Sequence, residues 1–444
     1  NPAVRPVLGL FEGVVSGAAD GYARMSGKSA ANLLHLGPGL GNAFANIHNA
    51  KKAFSPMINI VGDHASYHLK HNAPLTSDLD GLAKSSSDWI KRVGSPEQIT
   101  QCANDAWKAA NESPGNIATL IVPADYAWSD IQSDLPKKVK LNNRKSVDNK
   151  LIEAAYKLLL KPNSMLYLGG KFLDEECLKF AAQIATKTGC RLVTDTFVSR
   201  IRRGAGLPII QQVPYFSEMA EDFLQGTESI VFIGTKPPVS FFAYPDKKSF
   251  LSPDEAELFE LCSVEENGYE TLALLSELSG SPKIANELIR PHISDVPTSG
   301  DLDVTTLGPL IADMMPEESI VSDESATSSL IVTPHALQAK PHDWLALTGG
   351  SIGQGLPLAI GASIAKPDRP VITLHGDGGA MYTVQALWTQ ARENLNITNI
   401  IFSNRSYEIL KIELDRVQAV ETGERAASMF SMDNPPIGWV NLAE

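Results

Sequence analysis

Val371-Ile-Thr-Leu-His375-Gly-Asp377-Gly-Gly379-Ala380 is followed by a run from Met381 to Arg392, and then by Ile397-Thr-Asn-Ile-Ile-Phe-Ser403-Asn404. The first apolar stretch reads as a strand that ends in a Gly-Asp-Gly turn. A helix is expected from about Ala380 to Arg392, and a second apolar strand ends in Asn404. This βαβ pattern puts both polar residues at strand C-termini, where parallel α/β sheets bind their ligands. Asp377 brings a carboxylate and Asn404 an amide oxygen, a donor set suited to a hard cation such as Mg²⁺. Gly376, Gly378 and Gly379 let a phosphate approach the backbone, and the helix start would point free N–H groups at it. Taken alone, Gly-Asp-Gly-Gly reads equally well as a tight turn.

Outside this stretch, 444 residues are too many for one ordinary core, so two or three domains are expected. A hydrophobic content of 43% and a charged content of 20% are those of a globular chain. The net charge of −13, with no long basic run, argues against nucleic acid as a partner. No apolar segment approaches the roughly 20 residues of a membrane span. Cys102, Cys177, Cys190 and Cys262 lack CxxC spacing and read as free thiols of a reducing, cytoplasmic compartment. The chain starts at Asn1-Pro2 and stops soon after a new apolar stretch, Ile437–Asn441, so it reads as truncated at both ends.

Residues 4–10 read as a short strand, and Glu12 follows at the junction with a helix. Val14, Val15, Ala18, Ala19, Tyr22 and Ala23 recur at helical spacing, and Gly27 stops the helix. A glutamate there serves the helix dipole in any case. A strand over 31–36, the loop Gly37-Pro-Gly-Leu-Gly-Asn42, a helix to about Ala53 and a strand over 57–62 follow. The loop lacks the third glycine of a dinucleotide fingerprint. His64, His68 and His71 include an i, i+4 pair but no HExxH or cysteine partner, which favours a loop over zinc. The first domain is assigned to 1–132 and closes with a strand over 117–123. A Lys/Asn-rich linker precedes the second, 147–280, where helices (148–160, 174–187, 217–224) alternate with strands (164–168, 191–194, 230–234, 257–262). The third, 303–444, opens with a helix over 305–314 and strands over 319–322 and 344–347.

The Gly-Asp-Gly turn, with twenty-five residues between Gly378 and Asn404, resembles the cofactor signature of thiamine diphosphate (ThDP) enzymes. The stretch Glu12-Gly-Val-Val-Ser-Gly-Ala-Ala-Asp-Gly-Tyr-Ala-Arg24 is similar to the glutamate-bearing helix of acetolactate synthases and ThDP decarboxylases. The resemblance implies a three-domain α/β architecture of doubly wound parallel sheets, with pyrimidine-binding, central and diphosphate-binding domains. It implies that Asp377, Asn404 and the carbonyl of Ser406 hold Mg²⁺ on the diphosphate; Arg405 departs from the second asparagine common there. Glu12 is then the carboxyl that exchanges a proton with N1′ of the aminopyrimidine, which lets the 4′-nitrogen remove the thiazolium C2 proton.

By the same resemblance Gly37, Gly39 and Asn42 belong to a loop closing on the cofactor, and Glu324 and Ser325 flank the aminopyrimidine. Ser351 and Ile352 lie beneath the cofactor, Ile352 propping it in a bent shape; Gly376, Gly378, Gly379, Ala380 and Tyr407 complete the cofactor contacts. Ile352 read without the resemblance is a core isoleucine. His35 lies where benzoylformate decarboxylase-like enzymes place a substrate-facing histidine, and a buried structural histidine is the alternative. FAD is possible in the central domain, as in acetolactate synthases, but Gly169-Gly170 and Gly234–Pro237 form no flavin fingerprint.

The implied activity is decarboxylation of a 2-oxo acid with carboligation, acetolactate synthase-like, in a homodimer or homotetramer with active sites between subunits. A benzoylformate decarboxylase-like lyase is the alternative. The glutamine and Phe-Gln pair of acetolactate synthases are missing after Gly62-Asp63, as are the adjacent histidines of pyruvate decarboxylases. The stretch Phe241-Phe-Ala-Tyr244 lacks the central-domain histidine of benzoylformate decarboxylases. A non-catalytic ThDP-binding protein is disfavoured by Glu12, Asp377 and Asn404, and an NAD-dependent dehydrogenase by the missing fingerprint.

Overall fold

A computed structural model describes residues 4–131, 139–280, 296, 299–417 and 423–444. Three sheets organise the chain, each covered by helices. The first has β1 (Ala30–His35), β2 (Met57–Asp63), β3 (Trp89–Arg92) and β4 (Ile117–Pro123), all parallel in the order β1-β2-β4-β3. The second begins with β5 (Ser164–Leu168) and β6 (Arg191–Thr194). The next strand, β7 (Ile201–Arg203), leaves it, and β8 (Gln211–Gln212), β9 (Ser229–Ile233) and β10 (Glu257–Cys262) complete it in the parallel order β10-β9-β5-β6-β8. The third has β11 (Ile320–Glu324), β12 (His342–Ala346), β13 (Val371–Gly376) and β14 (Ile397–Phe402) in the parallel order β14-β13-β11-β12, with β7 antiparallel on its edge.

The central strands β5, β9 and β12 are buried at every position, as strands covered on both faces must be. Between the first and third sheets, helices Glu12–Ser26 and Gly355–Ala365 cross in close contact. A Cβ on Gly21 would lie 1.9 Å from the carbonyl oxygen of Leu358, and one on Gly361 would lie 1.8 Å from that of Ala18. Only glycine allows this approach, which brings the start of the first helix beside the third sheet. Beneath it Arg24 and Asp20 form a buried bidentate pair, 2.9 and 2.7 Å. Arg24 also donates to the carbonyls of Ser199 and Ala346 and to the Thr348 hydroxyl, so one side chain ties the first helix to the segment before β7 and to the end of β12.

Three expectations are corrected. Residues 4–10 form no strand: Val4, Leu8 and Leu10 are exposed, and the contacts the segment makes are side-chain ones, Arg5 to Glu393 and Thr389 to the carbonyl of Leu8. A short apolar stretch without a neighbour to complete a ladder does not make a strand. The Gly37–Asn42 stretch is not a loop but the opening turns of helix Leu36–Lys52. Pro38 fits there because N–H groups of a first turn have no helical acceptor. Gly37 is required by packing, since a Cβ would lie 2.0 Å from the Ser77 hydroxyl. The helix expected from Ala380 begins at Asp377, ends at Met381 and resumes as Ala386–Arg392.

Candidate active site

Strand β13 delivers Asp377 to the first turn of the short helix that follows it, and β14 runs alongside in register, Gly376 opposite Phe402. Asp377 is buried. Its Oδ1 accepts the Gly378 N–H at 2.8 Å and its Oδ2 accepts the Arg405 N–H at 2.8 Å. Asn404 is exposed, and its Oδ1 accepts the Ser406 N–H at 3.1 Å. The carboxylate and the amide oxygen therefore anchor the same turn, residues 404–406, which Arg405 enters with φ of +55°. Gly378 is needed here: a Cβ would lie 2.5 Å from the Tyr407 ring. Burial, with Tyr382 alongside, pushes the Tyr407 phenol up, so it remains a neutral hydrogen-bonding group. Ala380 is fully buried in a core with Val14, Leu356 and Ile360.

Among the described residues no three His, Cys, Asp or Glu side chains converge on a metal position. One carboxylate, one amide oxygen and one backbone carbonyl are instead a donor set that would suit a Mg²⁺ drawing its other oxygens from phosphate and water. The residues present fit that ion and a diphosphate.

The other half of the site starts from Glu12, the first residue of its helix, half-buried, with Oε2 accepting from Asn42 Nδ2 at 3.1 Å. A Cβ on Gly39 would be 3.4 Å from Glu12 Oε1 and 3.6 Å from His35 Cβ, so Glu12, His35, Gly39 and Asn42 are neighbours. His35 ends β1, is exposed, and lines a cavity of about 690 Å³ with Leu33, His64, Tyr67, His68 and Trp128. The rings of His64, His68 and His71 lie in a chain, 5.3 and 5.7 Å between centroids, without converging on one point.

Between these halves runs the turn carrying Ser351 and Ile352, both half-buried. Asn49 clamps it reciprocally, donating to the Ser351 carbonyl at 2.8 Å and accepting its N–H at 3.1 Å. Asn46 bridges the carbonyls of Gly13 and Gly353 at 2.8 and 3.3 Å, linking the residue after Glu12 to the residue after Ile352. Asn46 and Asn49 have no motif signature; only their inward positions on an amphipathic helix mark them. Glu324 and Ser325 are buried, their polar groups engaged within the fold. Ser325 donates to Asp323 at 2.6 Å, and Glu324 accepts from the backbone of residues 353–355. Burial would raise the Glu324 carboxyl, but His375 and the backbone N–H groups outweigh it and hold it below the usual range.

The second sheet has its topological switch between β5 and β9. A Cβ on Gly169 would lie 2.6 Å from Thr235 Cβ, and Cβ atoms on Gly234 and Gly268 would strike the Phe172 ring at 2.4 and 2.7 Å. The space that these glycines leave is taken by Thr235 at Gly169 and by Phe172 at Gly234 and Gly268. The cavity beside them, about 250 Å³ and lined by Tyr167, Asp195, Tyr215 and Thr235, is below the roughly 300–1,000 Å³ of small-molecule sites. The residues here do not fit FAD.

Asp195 in that cavity accepts from Tyr167 at 3.1 Å and Thr235 at 2.8 Å, yet burial pushes its carboxyl up to about 6. A carboxyl raised in the folded state stabilises the fold only while protonated, and that contribution is lost as pH rises through about 6. Asp195→Asn is therefore expected to stabilise the protein at pH 7 by on the order of 1–3 kcal/mol, with the gain shrinking below pH 5. Urea unfolding at both pH values checks this; an equal difference at each would contradict it.

Residues 1–83 match the family model "Thiamine pyrophosphate enzyme, N-terminal TPP binding domain", and residues 326–444 match "Thiamine pyrophosphate enzyme, C-terminal TPP binding domain". The chain is 42% identical over 448 aligned residues to the Mycobacterium tuberculosis protein described as "Putative acetolactate synthase large subunit IlvX", covering 100% of this chain and 85% of that one. It is 26% identical to benzoylformate decarboxylase of Pseudomonas aeruginosa, over 92% of this chain and 80% of that one. In fold it is similar to the ThDP-dependent 4-hydroxybenzoylformate decarboxylase of Rhodococcus jostii, with a TM-score of 0.85 at 23% identity, over 98% of this chain and 85% of that one. No helix among the described residues is long and apolar enough to cross a membrane.

Proposed function

The chain belongs to the family of thiamine pyrophosphate enzymes, and from that membership we propose that it decarboxylates a 2-oxo acid with ThDP and Mg²⁺ and joins the acyl unit to a second carbonyl compound, as an acetolactate synthase does. The observation that carries this reading is the arrangement of Asp377 and Asn404, both bonded to the one turn of residues 404–406. When bound, the cofactor would supply a nucleophilic thiazolium carbon and an electron sink for decarboxylation. Asp377, Asn404 and the Ser406 carbonyl would hold the cation that binds the diphosphate. Glu12, oriented by Asn42, holds and moves the proton at N1′ of the aminopyrimidine. Ile352, on a turn fixed by Asn46 and Asn49, supports the cofactor from below.

One observation favours a second outcome, release of an aldehyde as in benzoylformate decarboxylases. His35 is exposed beside Glu12 and opens into the 690 Å³ cavity, where it is placed to hand a proton to a product. Incubation with several 2-oxo acids and identification of the products separates the two. Acetohydroxy acids support carboligation, aldehydes alone support the lyase, and neither product with ThDP and Mg²⁺ present defeats both.

The assembly follows from the same reading. Leu33, Tyr67 and Trp128 are 78%, 64% and 66% exposed around the cavity next to Glu12, more apolar surface than a site working in water favours. We expect a homodimer or dimer of dimers in light scattering, with this face covered by the second subunit. An active monomer would contradict it.

A further inference from the structure

Glu324 ends β11 and His375 lies opposite it in register on β13. Both side chains are buried, 4% and 0% exposed. The Glu324 carboxylate spans the start of helix Gly355–Ala365, accepting the N–H groups of Gly353 at 2.6 Å, Gln354 at 2.6 Å and Gly355 at 2.7 Å. His375 Nε2 stands 3.3 Å from Glu324 Oε2, an ion-pair distance without hydrogen-bond alignment, and its Nδ1 lies 3.0 Å from the Gly376 carbonyl. Two glycines make room for the pair. A Cβ on Gly355 would lie 2.7 Å from the His375 ring, and one on Gly379 would lie 2.7 Å from Glu324 Oε1.

A carboxylate satisfied by three backbone N–H groups needs no further partner to be tolerated in a core. The fold nonetheless adds a buried imidazole from the strand that two residues later presents Asp377. The contacts continue outward. Gln354 donates to Asp20 at 2.7 Å, and Asp20 lies on the helix begun by Glu12; Asn46 joins Gly353 to Gly13. Moving the carboxylate moves the turn behind Ile352; moving the imidazole moves the strand end before Asp377.

We propose that Glu324 and His375 are a positioning pair that fixes the Ile352 turn against the Asp377 strand end, so that the cofactor's support and its diphosphate anchor keep one separation. This rests on the ThDP reading above. Each acts through the backbone it holds, Glu324 through the N–H groups of residues 353–355 and His375 through the strand end before Asp377. The pair acts as a unit, since the two side chains pack between the same helix start and the same strand end, and a change at either reaches both.

The test uses the full chain and the variants Glu324→Gln, His375→Gln and their double. Calorimetric titration with ThDP in Mg²⁺ is the readout, alongside circular dichroism and melting temperature. Each folded single variant is expected to bind ThDP roughly 10–100-fold more weakly, the usual cost of losing a group that orients a ligating one. The double variant should be no worse than the weaker single. A purely structural pair would lower the melting temperature and leave ThDP affinity unchanged, and that result would overturn the proposal. Penalties that multiply in the double variant would also overturn it. If Glu324→Gln does not fold, His375→Gln decides alone, by weakened or unchanged affinity. A wild-type chain that fails to bind ThDP would remove the functional reading and this proposal with it; normal wild-type binding with unaffected variants removes only the proposal.

Discussion

Asp377→Ala is expected to give a folded protein that no longer takes up ThDP when Mg²⁺ is added. The substitution deletes the carboxylate nearest the proposed cation and leaves Asn404 and a backbone carbonyl, both neutral, facing a dication and a diphosphate. It also frees the Arg405 N–H that Oδ2 now accepts, so the 404–406 turn loses an anchor together with the charge. Both effects point the same way, and affinity should fall by on the order of 10²-fold or more, beyond the roughly 10–100-fold typical of groups that only orient a ligand. Thermal unfolding reads it directly. A ligand at a hundred times its dissociation constant adds about 2.7 kcal/mol to the stability of the protein that binds it and nothing to one that does not. The wild type should therefore melt higher with ThDP and Mg²⁺ than without, and the variant should melt at one temperature in both. Asp377→Asn, which keeps one acceptor for the turn, separates the causes: restored folding without restored uptake assigns the loss to charge. An undiminished shift in Asp377→Ala would place the cation elsewhere.

That site was legible because its chemistry depends on residue types at strand ends. The apolar runs of β13 and β14 read as parallel strands, which puts Asp377 and Asn404 at strand ends, and the two strands pair in parallel. Strands β5, β6 and β10 and helix Ser217–Leu224 likewise have the bounds their patterns suggest, since short apolar runs between turn residues leave little freedom. Elsewhere local pattern met tertiary demand. Gly37-Pro-Gly reads as loop chemistry, but it opens a helix in which Gly37 lets Ser77 approach. The short apolar stretch over 4–10 met no pairing neighbour. Strand β7 sits between two strands of the second sheet in sequence yet pairs with β12, a three-residue choice that no periodicity records.

The polar groups that hold the site together were harder still to see. Asp20 and Arg24 carry the i, i+4 spacing of an ordinary surface pair, and nothing local says that this one is buried and reaches three segments. Glu324 and His375 are fifty-one positions apart and meet only because β11 and β13 are adjacent. The Glu324 carboxylate is engaged by three backbone N–H groups, which no local pattern marks. Ligating residues announce themselves by type; residues that orient them do so only through geometry.

Glu12 carries the central claim, that this chain moves a proton on its cofactor rather than merely holding it. Glu12→Gln keeps the shape of the side chain and leaves an oxygen to accept from Asn42, as Oε2 does now, but an amide cannot exchange a proton with N1′. The variant should fold and bind ThDP with Mg²⁺. A first-turn glutamate acting only on the helix dipole would cost roughly 0.3–1 kcal/mol of stability when neutralised and would leave cofactor chemistry untouched. A positioned acid–base group is worth roughly 10²–10⁴ in rate. The deciding measurement is hydrogen–deuterium exchange at C2 of ThDP bound to the wild type and to Glu12→Gln. The account predicts exchange slower by about 10²–10⁴ in the variant at full cofactor occupancy; exchange at the wild-type rate in a folded, fully loaded Glu12→Gln protein would contradict it.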